Sequence, residues 1–308
     1  MYSKIMVPYD GSPFSRRALP LATDLARRHD AELHIVHAIA PIFERAYIEA
    51  DGVSQAELDD LARSIHDDSG VRTTAVRRTG RVVDELRAYR KEKGIDLIVM
   101  ATHGWGGLQR AWLGSVADEL IRRAQVPVLA FRSRSEDDAP ATNLDRVLIP
   151  LDGSELSKSI LDRALKLGGT ATHYTLLRVI PYGDPGSLLS RAVEAVELEK
   201  LIAKAEVEAT AYLDELSTRL RTEGYEVETR VLKDPQPARA ILGQARESNV
   251  DLIALSTHGR GGLARIFALG SIADKVLRGA ERPVMVYRPA EITQNEKVAT
   301  EKTAAEMG

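Results

Sequence analysis

Apolar residues along the chain fall into short continuous runs, and stretches with helical spacing separate them. In the first half, strands are predicted near 4–8, 32–38, 71–78, 96–101 and 127–131, and helices near 14–29, 55–67, 82–93 and 115–124. The runs Ile5-Met6-Val7, Leu33–Ala40, Leu97–Met100 and Val128–Phe131 are mostly continuous rather than alternating. That pattern belongs to parallel strands covered by helices on both faces. Strands alternating with helices imply right-handed crossovers and therefore a doubly wound α/β sheet.

The same pattern occurs twice. Ile5-Met6-Val7-Pro8-Tyr9-Asp10-Gly11-Ser12 returns as Val147-Leu148-Ile149-Pro150-Leu151-Asp152-Gly153-Ser154. Asp96–Gly104 returns as Asp251–Gly259, Leu113–Asp118 as Leu269–Asp274, and Val126–Leu129 as Arg282–Met285. Matched blocks in one order are a duplication, which predicts two tandem domains of five strands each. The copies span 1–133 and 144–289, with a polar, Pro140-containing linker at 134–143 and a frayed tail at 290–308. Asp152 follows Asp10 by 142 residues, whereas His258 follows His103 by 155, so the second copy carries 13 additional residues between those blocks. They fall in Leu188–Gly224, whose Leu, Ala, Glu and Lys content favours a long helix.

Composition narrows the class. With 308 residues, 44% hydrophobic and 28% charged, the chain can bury one core of ordinary size per copy. A net charge of −3 supplies no electrostatic attraction for nucleic acid or an anionic membrane. The absence of cysteine excludes disulfides, thiolate nucleophiles and Cys-ligated metals, and it fits a cytoplasmic location. No run of apolar residues is long enough to span a bilayer, and no export signal opens the chain.

In doubly wound sheets, ligands sit beyond the carboxyl ends of the strands where the winding reverses. The loops after strands one and four, which begin at Asp10 and at Thr102-His103-Gly104, are therefore expected to face one crevice. Gly104-Trp105-Gly106-Gly107 lets backbone approach a ligand closely. Gly114-Ser115 then opens a helix, Val116–Ala124, with Ser115 as its expected N-cap. A glycine-rich turn leading to a helix N-terminus suits a phosphate group. Asp10 and Asp152 are read as Asx turns, as ligand contacts, or as both at once. No carboxylate is locally spaced to orient His103 or His258, which favours a loop-bracing hydrogen bond over acid–base chemistry. His37 is answered by Arg178, which argues against a shared metal or catalytic role. There is no Walker-type loop, no Gly-x-Gly-x-x-Gly after strand one, and no protein-built metal cage.

With those residues in view, both halves resemble universal stress protein domains, with an adenine-nucleotide α-hydrolase-like fold. Members that bind ATP carry Gly-x-x-Gly, nine residues, then Gly-[Ser/Thr]. Here the first copy reads Ala101-Thr102-His103-Gly104, nine residues, Gly114-Ser115; the second reads Ser256-Thr257-His258-Gly259, ten residues, Gly270-Ser271. By this resemblance Pro8, Asp10 and Ala38 frame adenine and ribose in the first copy, and Pro150, Asp152 and Val179 do so in the second. Met100 and Leu255 occupy the apolar position before the motif. The phosphate loops comprise Ala101, Gly104, Gly114, Ser115 and Val116, and Ser256, Gly259, Gly270, Ser271 and Ile272.

The expected function is a nucleotide-dependent regulator of stress response that binds ATP with Mg2+. The alternatives are a slow ATPase and a nucleotide-independent dimerisation module. Catalysis beyond weak ATP hydrolysis is not expected. The two copies are expected to pair through their fifth strands, and the chain to associate further as a homodimer. The extra residue before Gly270 is expected to displace the second phosphate loop, making the first site the tighter one, unless it is absorbed as a bulge around Ile266–Leu269 remote from the ligand.

Overall fold

The computed structural model describes residues 1–40, 53–102, 113–132, 142–182, 195–257 and 269–288. The chain divides into two compact units whose main boundary falls between Thr142 and Asn143.

In the first unit the strands are β1 (Lys4–Pro8), β2 (Glu32–Ile39), β3 (Thr73–Thr79), β4 (Leu97–Ala101) and β5 (Val128–Phe131). Their order is β3-β2-β1-β4-β5, and the registered pairs are parallel. Ile5, Met6 and Val7 and every residue of β4 are buried, as the continuous apolar runs require. β3 is half-exposed along most of its length, which matches its Thr- and Arg-rich sequence.

The helices are α1 (Pro13–Arg16), α2 (Ala18–His29), α3 (Gln55–Ser69), α4 (Val82–Lys93) and α5 (Ser115–Arg123). The expected single helix over 14–29 is two helices broken at Arg17. Pro13 starts α1 where its missing N–H costs nothing, and the Ser12 hydroxyl caps it. α3 begins with a capping box between Ser54 and Glu57 and ends at Gly70, whose φ of 73° places it in the left-handed region. α2 packs on β1 and β4 and touches α3, while α4 packs on β2 and β3 and touches α5. Helices thus cover the two faces of a sheet whose winding reverses at β1.

The second copy of the sequence repeats the plan with β6 (Arg146–Pro150), β7 (His173–Ile180), β8 (Glu226–Lys233), β9 (Leu252–Ser256) and β10 (Val284–Tyr287), ordered β8-β7-β6-β9-β10. Its helices are α6 (Glu155–Lys158), α7 (Leu161–Gly168), α8 (Ala195–Thr222), α9 (Pro237–Glu247) and α10 (Ser271–Gly279). The 28-residue α8 replaces the 15-residue α3, and the difference equals the 13-residue excess of the second copy. Both end at a glycine with positive φ, Gly70 and Gly224. The insertion is therefore an N-terminal extension of one helix. Among the described residues no helix is long and apolar enough to cross a membrane.

Candidate functional site

At Pro8 the β1 ladder ends, because proline carries no N–H to continue it. Pro8 still registers with Val36, and the next amide, Tyr9 N–H, donates to Val36 O at 2.9 Å. Asp10 Oδ1 accepts the Ser12 N–H at 2.9 Å, which is an Asx turn, and the Asp10 N–H donates to Ser15 Oγ at 3.3 Å. Gly11 between them has φ 81°, and a Cβ there would stand 2.5 Å from Val53 Cγ2. Only glycine meets both conditions.

The second copy repeats the backbone bonds of this loop, while its serine hydroxyl differs: Ser154 donates to Asp152 Oδ1 at 2.6 Å where Ser12 donates to Ser15 Oγ at 3.3 Å. Asp152 Oδ1 accepts the Ser154 N–H at 2.9 Å, and the Asp152 N–H donates to Ser157 Oγ at 3.3 Å. Gly153 has φ 80°. The bracing serines, Ser12 and Ser15 with Ser154 and Ser157, were not singled out by sequence reasoning. Their recurrence at the 142-residue spacing was the available signal.

A further pair was underrated. His37 Nδ1 lies 2.8 Å from the carbonyl oxygen of Tyr9, which can only accept, so the ring donates from Nδ1. Burial pushes the His37 pKa down, with Arg77 adding to the effect, while the carbonyl and Asp10 oppose it. In the second copy Arg178 Nη1 donates to the carbonyl of Leu151 at 3.2 Å. The two residues differ chemically and hold equivalent backbone carbonyls, in each copy the one immediately before the aspartate. Their shared role is to aim the loop.

Across the switch point, β4 continues into Thr102, whose N–H donates to Phe131 O at 2.9 Å. The Thr102 carbonyl then accepts the Gly114 N–H at 2.8 Å, which fixes the start of α5 to the end of β4. Gly114, with φ −63° and ψ 149°, is the N-cap, and Ser115 is the first helical residue. The expectation of Ser115 as the cap is thereby corrected. The reason is steric: a Cβ on residue 114 would lie 2.9 Å from the Thr102 carbonyl oxygen, so the cap must be glycine. No side chain bonds to this cap. The amides of Ser115, Val116 and Ala117 have no acceptor within the helix and carry its positive dipole end.

The second copy shows the same clamp, with Gly270 N–H donating to Thr257 O at 2.8 Å and Gly270 at φ −56° and ψ 141°. The additional residue in its loop therefore does not separate the start of the helix from the end of the strand; the loop itself lies outside the described residues. Ser271 and Ile272 open α10 as Ser115 and Val116 open α5.

The positions expected to frame a nucleotide lie at or near the carboxyl ends of these strands. Met100 and Leu255 are buried at the ends of β4 and β9, followed by Ala101 and Ser256. Ala38 and Val179 are half-buried near the ends of β2 and β7. Pro8 and Pro150 end the central strands, and adjacency of β1 with β4 and of β6 with β9 sets each aspartate loop beside a clamped helix start. Gly104 and Gly259, with His103 and His258, lie outside the described residues. So does most of the expected linker.

In the second copy α8 adds Tyr212, whose ring centre is 5.5 Å from Lys158 Nζ. Burial raises the Tyr212 pKa, and the charges that act on it include Lys158, Arg178 and Asp152, so this helix reaches the Asp152 loop.

Comparison with known proteins is consistent throughout. The universal stress protein family matches residues 1–132 and again 143–288. Universal stress protein Rv2005c of Mycobacterium tuberculosis is 33% identical over 205 residues, covering 63% of this chain and 62% of that protein. The matched region thus spans about three fifths of the length of that relative. A universal stress protein of Mycolicibacterium smegmatis is 26% identical over 304 residues, covering 92% of this chain and 97% of its own. The crystal structure of a universal stress protein from Archaeoglobus fulgidus superposes with a TM-score of 0.68 at 22% identity, covering 92% of this chain and 98% of that one, and so shares the fold. With the family matched in each half and the duplicated α/β units in place, this chain belongs to the universal stress protein family as a tandem, two-domain member.

Proposed function

We propose that the chain binds ATP with its Mg2+ in the carboxyl-end crevice of each copy and acts as a nucleotide-dependent regulator in stress response. The observation that carries this reading is the repeated clamp. In both copies a glycine N-cap, bonded at 2.8 Å to the end of the neighbouring strand, presents uncapped helix amides beside a rigid Asp-Gly-Ser loop. Backbone donors at a helix start, with no Cβ in the way, suit the oxygens of a phosphate. Mg2+ arrives with the triphosphate and neutralises part of its charge.

Titration calorimetry with MgATP, ADP and AMP tests the reading. Ser115 and Ser271 are exposed at the first helical position, so Ser115→Asp combined with Ser271→Asp adds charge without touching the clamp. A carboxylate is favourable at a helix start, so melting temperature is expected to hold. Set against phosphate at ~4 Å, it weakens nucleotide binding by at least ~100-fold. A wild-type protein that takes up none of the three nucleotides ends the proposal.

The same proposal pairs the two copies through their fifth strands, β5 and β10, in which every residue is buried. Such short apolar strands are stable when paired or covered. An isolated first copy is then expected to dimerise in sedimentation, and a stable monomer at high concentration contradicts the pairing.

A further inference from the structure

The last residue of β4 is Ala101, and the last residue of β9 is Ser256, at the equivalent point of the duplicated plan. Ser256 is 8% exposed, and its Oγ, itself shielded from solvent, has no hydrogen-bond partner among the described residues. Folding has thus removed a hydroxyl from water without pairing it, which costs stability and calls for a compensating role.

Strand geometry says where the hydroxyl points. Side chains alternate between the faces of a strand. Ile253 lines a cavity with Leu242 of α9 and Gly279 of α10, so Ile253 and Leu255 face that pair of helices. Ala254 and Ser256 therefore face the opposite side, where α6 packs on β9. α6 begins directly after the Asp152-Gly153-Ser154 turn. The next residue, Thr257, carries the carbonyl that holds Gly270 at the start of α10. Ser256 Oγ accordingly sits at the switch point, on the side of the Asp152 loop and one residue from the phosphate-type clamp.

We propose that the Ser256 hydroxyl is a ligand-binding group of the second site, donating a hydrogen bond to an oxygen of the bound adenine nucleotide, and that the first site lacks it because Ala101 has nothing to donate. This deepens the nucleotide-binding reading and rests on it. The two crevices share a backbone scaffold, and the Ser256 hydroxyl has no counterpart at Ala101, so they are distinguishable sites.

The second site is isolated by the Ser115→Asp substitution, which closes the first. In that background Ser256→Ala is compared with Ser256 for MgATP affinity, and both ligand-free proteins are melted. Loss of one neutral hydrogen bond is expected to weaken MgATP by about three- to tenfold. Removing an unpaired buried hydroxyl is expected to leave the ligand-free melting temperature unchanged or higher. Ser256→Thr, which keeps the hydroxyl, should retain more affinity than Ser256→Ala. Unchanged affinity in Ser256→Ala, or a lower melting temperature of its ligand-free form, overturns the assignment, since the hydroxyl would then be idle or structural. If Ser115→Asp alone abolishes MgATP binding, the second copy is not a nucleotide site and the assignment falls while nucleotide binding by the first copy stands. A wild-type protein that binds no nucleotide refutes the broader reading instead.

Discussion

The loop that leads to Asp10 is held by a histidine, and the loop that leads to Asp152 is held by an arginine. His37 reaches the Tyr9 carbonyl at 2.8 Å from a ring that is 2% exposed, and Arg178 reaches the Leu151 carbonyl at 3.2 Å from a half-buried position. What the two copies share is the acceptor on the backbone. The donor has changed its chemistry, its length and its charge. A duplicated site therefore keeps its geometry through main-chain groups, and the side chains that satisfy them are free to diverge as long as each still donates. The Gly114 clamp makes the same point from the other direction, since a Cβ there would lie 2.9 Å from the Thr102 carbonyl oxygen and only glycine is left.

The largest effect that tests this comparison comes from removing each donor. His37→Leu leaves a buried carbonyl unpaired, a cost of about 1–3 kcal/mol. Arg178→Leu removes a longer contact, 3.2 Å against 2.8 Å, made from a half-buried position, so a smaller loss of about 0.5–1.5 kcal/mol is expected. Both tryptophans of the chain, Trp105 and Trp112, lie in the first copy, so their fluorescence reports its unfolding while circular dichroism reports both. Equal losses would show that burial does not separate the two holders.

A smaller effect is expected from pH. His34 and His37 are buried, and burial is the first cause that lowers each pKa below its ordinary value of 6.5. Around His34 stand Glu32, Lys4, Lys93 and the Tyr89 hydroxyl, and around His37 stand Asp10, Arg77 and the Tyr9 carbonyl. In the unfolded chain both rings take a proton as pH falls below about 6.5, whereas in the folded protein they resist until lower pH. Their contribution to stability is thus complete above about 6.5 and is lost as pH falls through the depressed folded values. The equivalent positions of the second copy are Thr175 and Arg178, which do not titrate there. Denaturant midpoints by tryptophan fluorescence should fall between pH 7 and 5.5, and the fall should shrink in His37→Leu. A midpoint that is flat over this range would remove the proposed acid sensitivity of the first copy.

Much of this architecture was legible in the chain itself. The continuous runs at Ile5–Val7 and Leu97–Met100 mark strands buried on both faces, because only such strands tolerate apolar residues at successive positions. The duplication was equally plain, and counting residues between its blocks located the extension of α8. Reading was less successful at Ser115, where capping preference pointed to serine and close approach of the Thr102 carbonyl requires glycine one residue earlier. The additional residue before Gly270 lies in a stretch outside the described residues, whose two ends the Gly270–Thr257 hydrogen bond holds together at 2.8 Å.

By itself, then, the sequence determined the strand and helix order, the repeat and the positions of the aspartate and glycine turns, all of which depend on local spacing and backbone conformation. Only the tertiary structure decided that His37 and Arg178 serve equivalent carbonyls, those of Tyr9 and Leu151, that Tyr212 of α8 comes beside Lys158, and that the Ser256 hydroxyl is buried without a partner among the described residues. Each of these is a meeting of groups far apart in the chain or a cost of desolvation. Neither is written in the neighbours of a residue, because hydrogen bonds and burial are set by whatever the fold brings within a few ångströms.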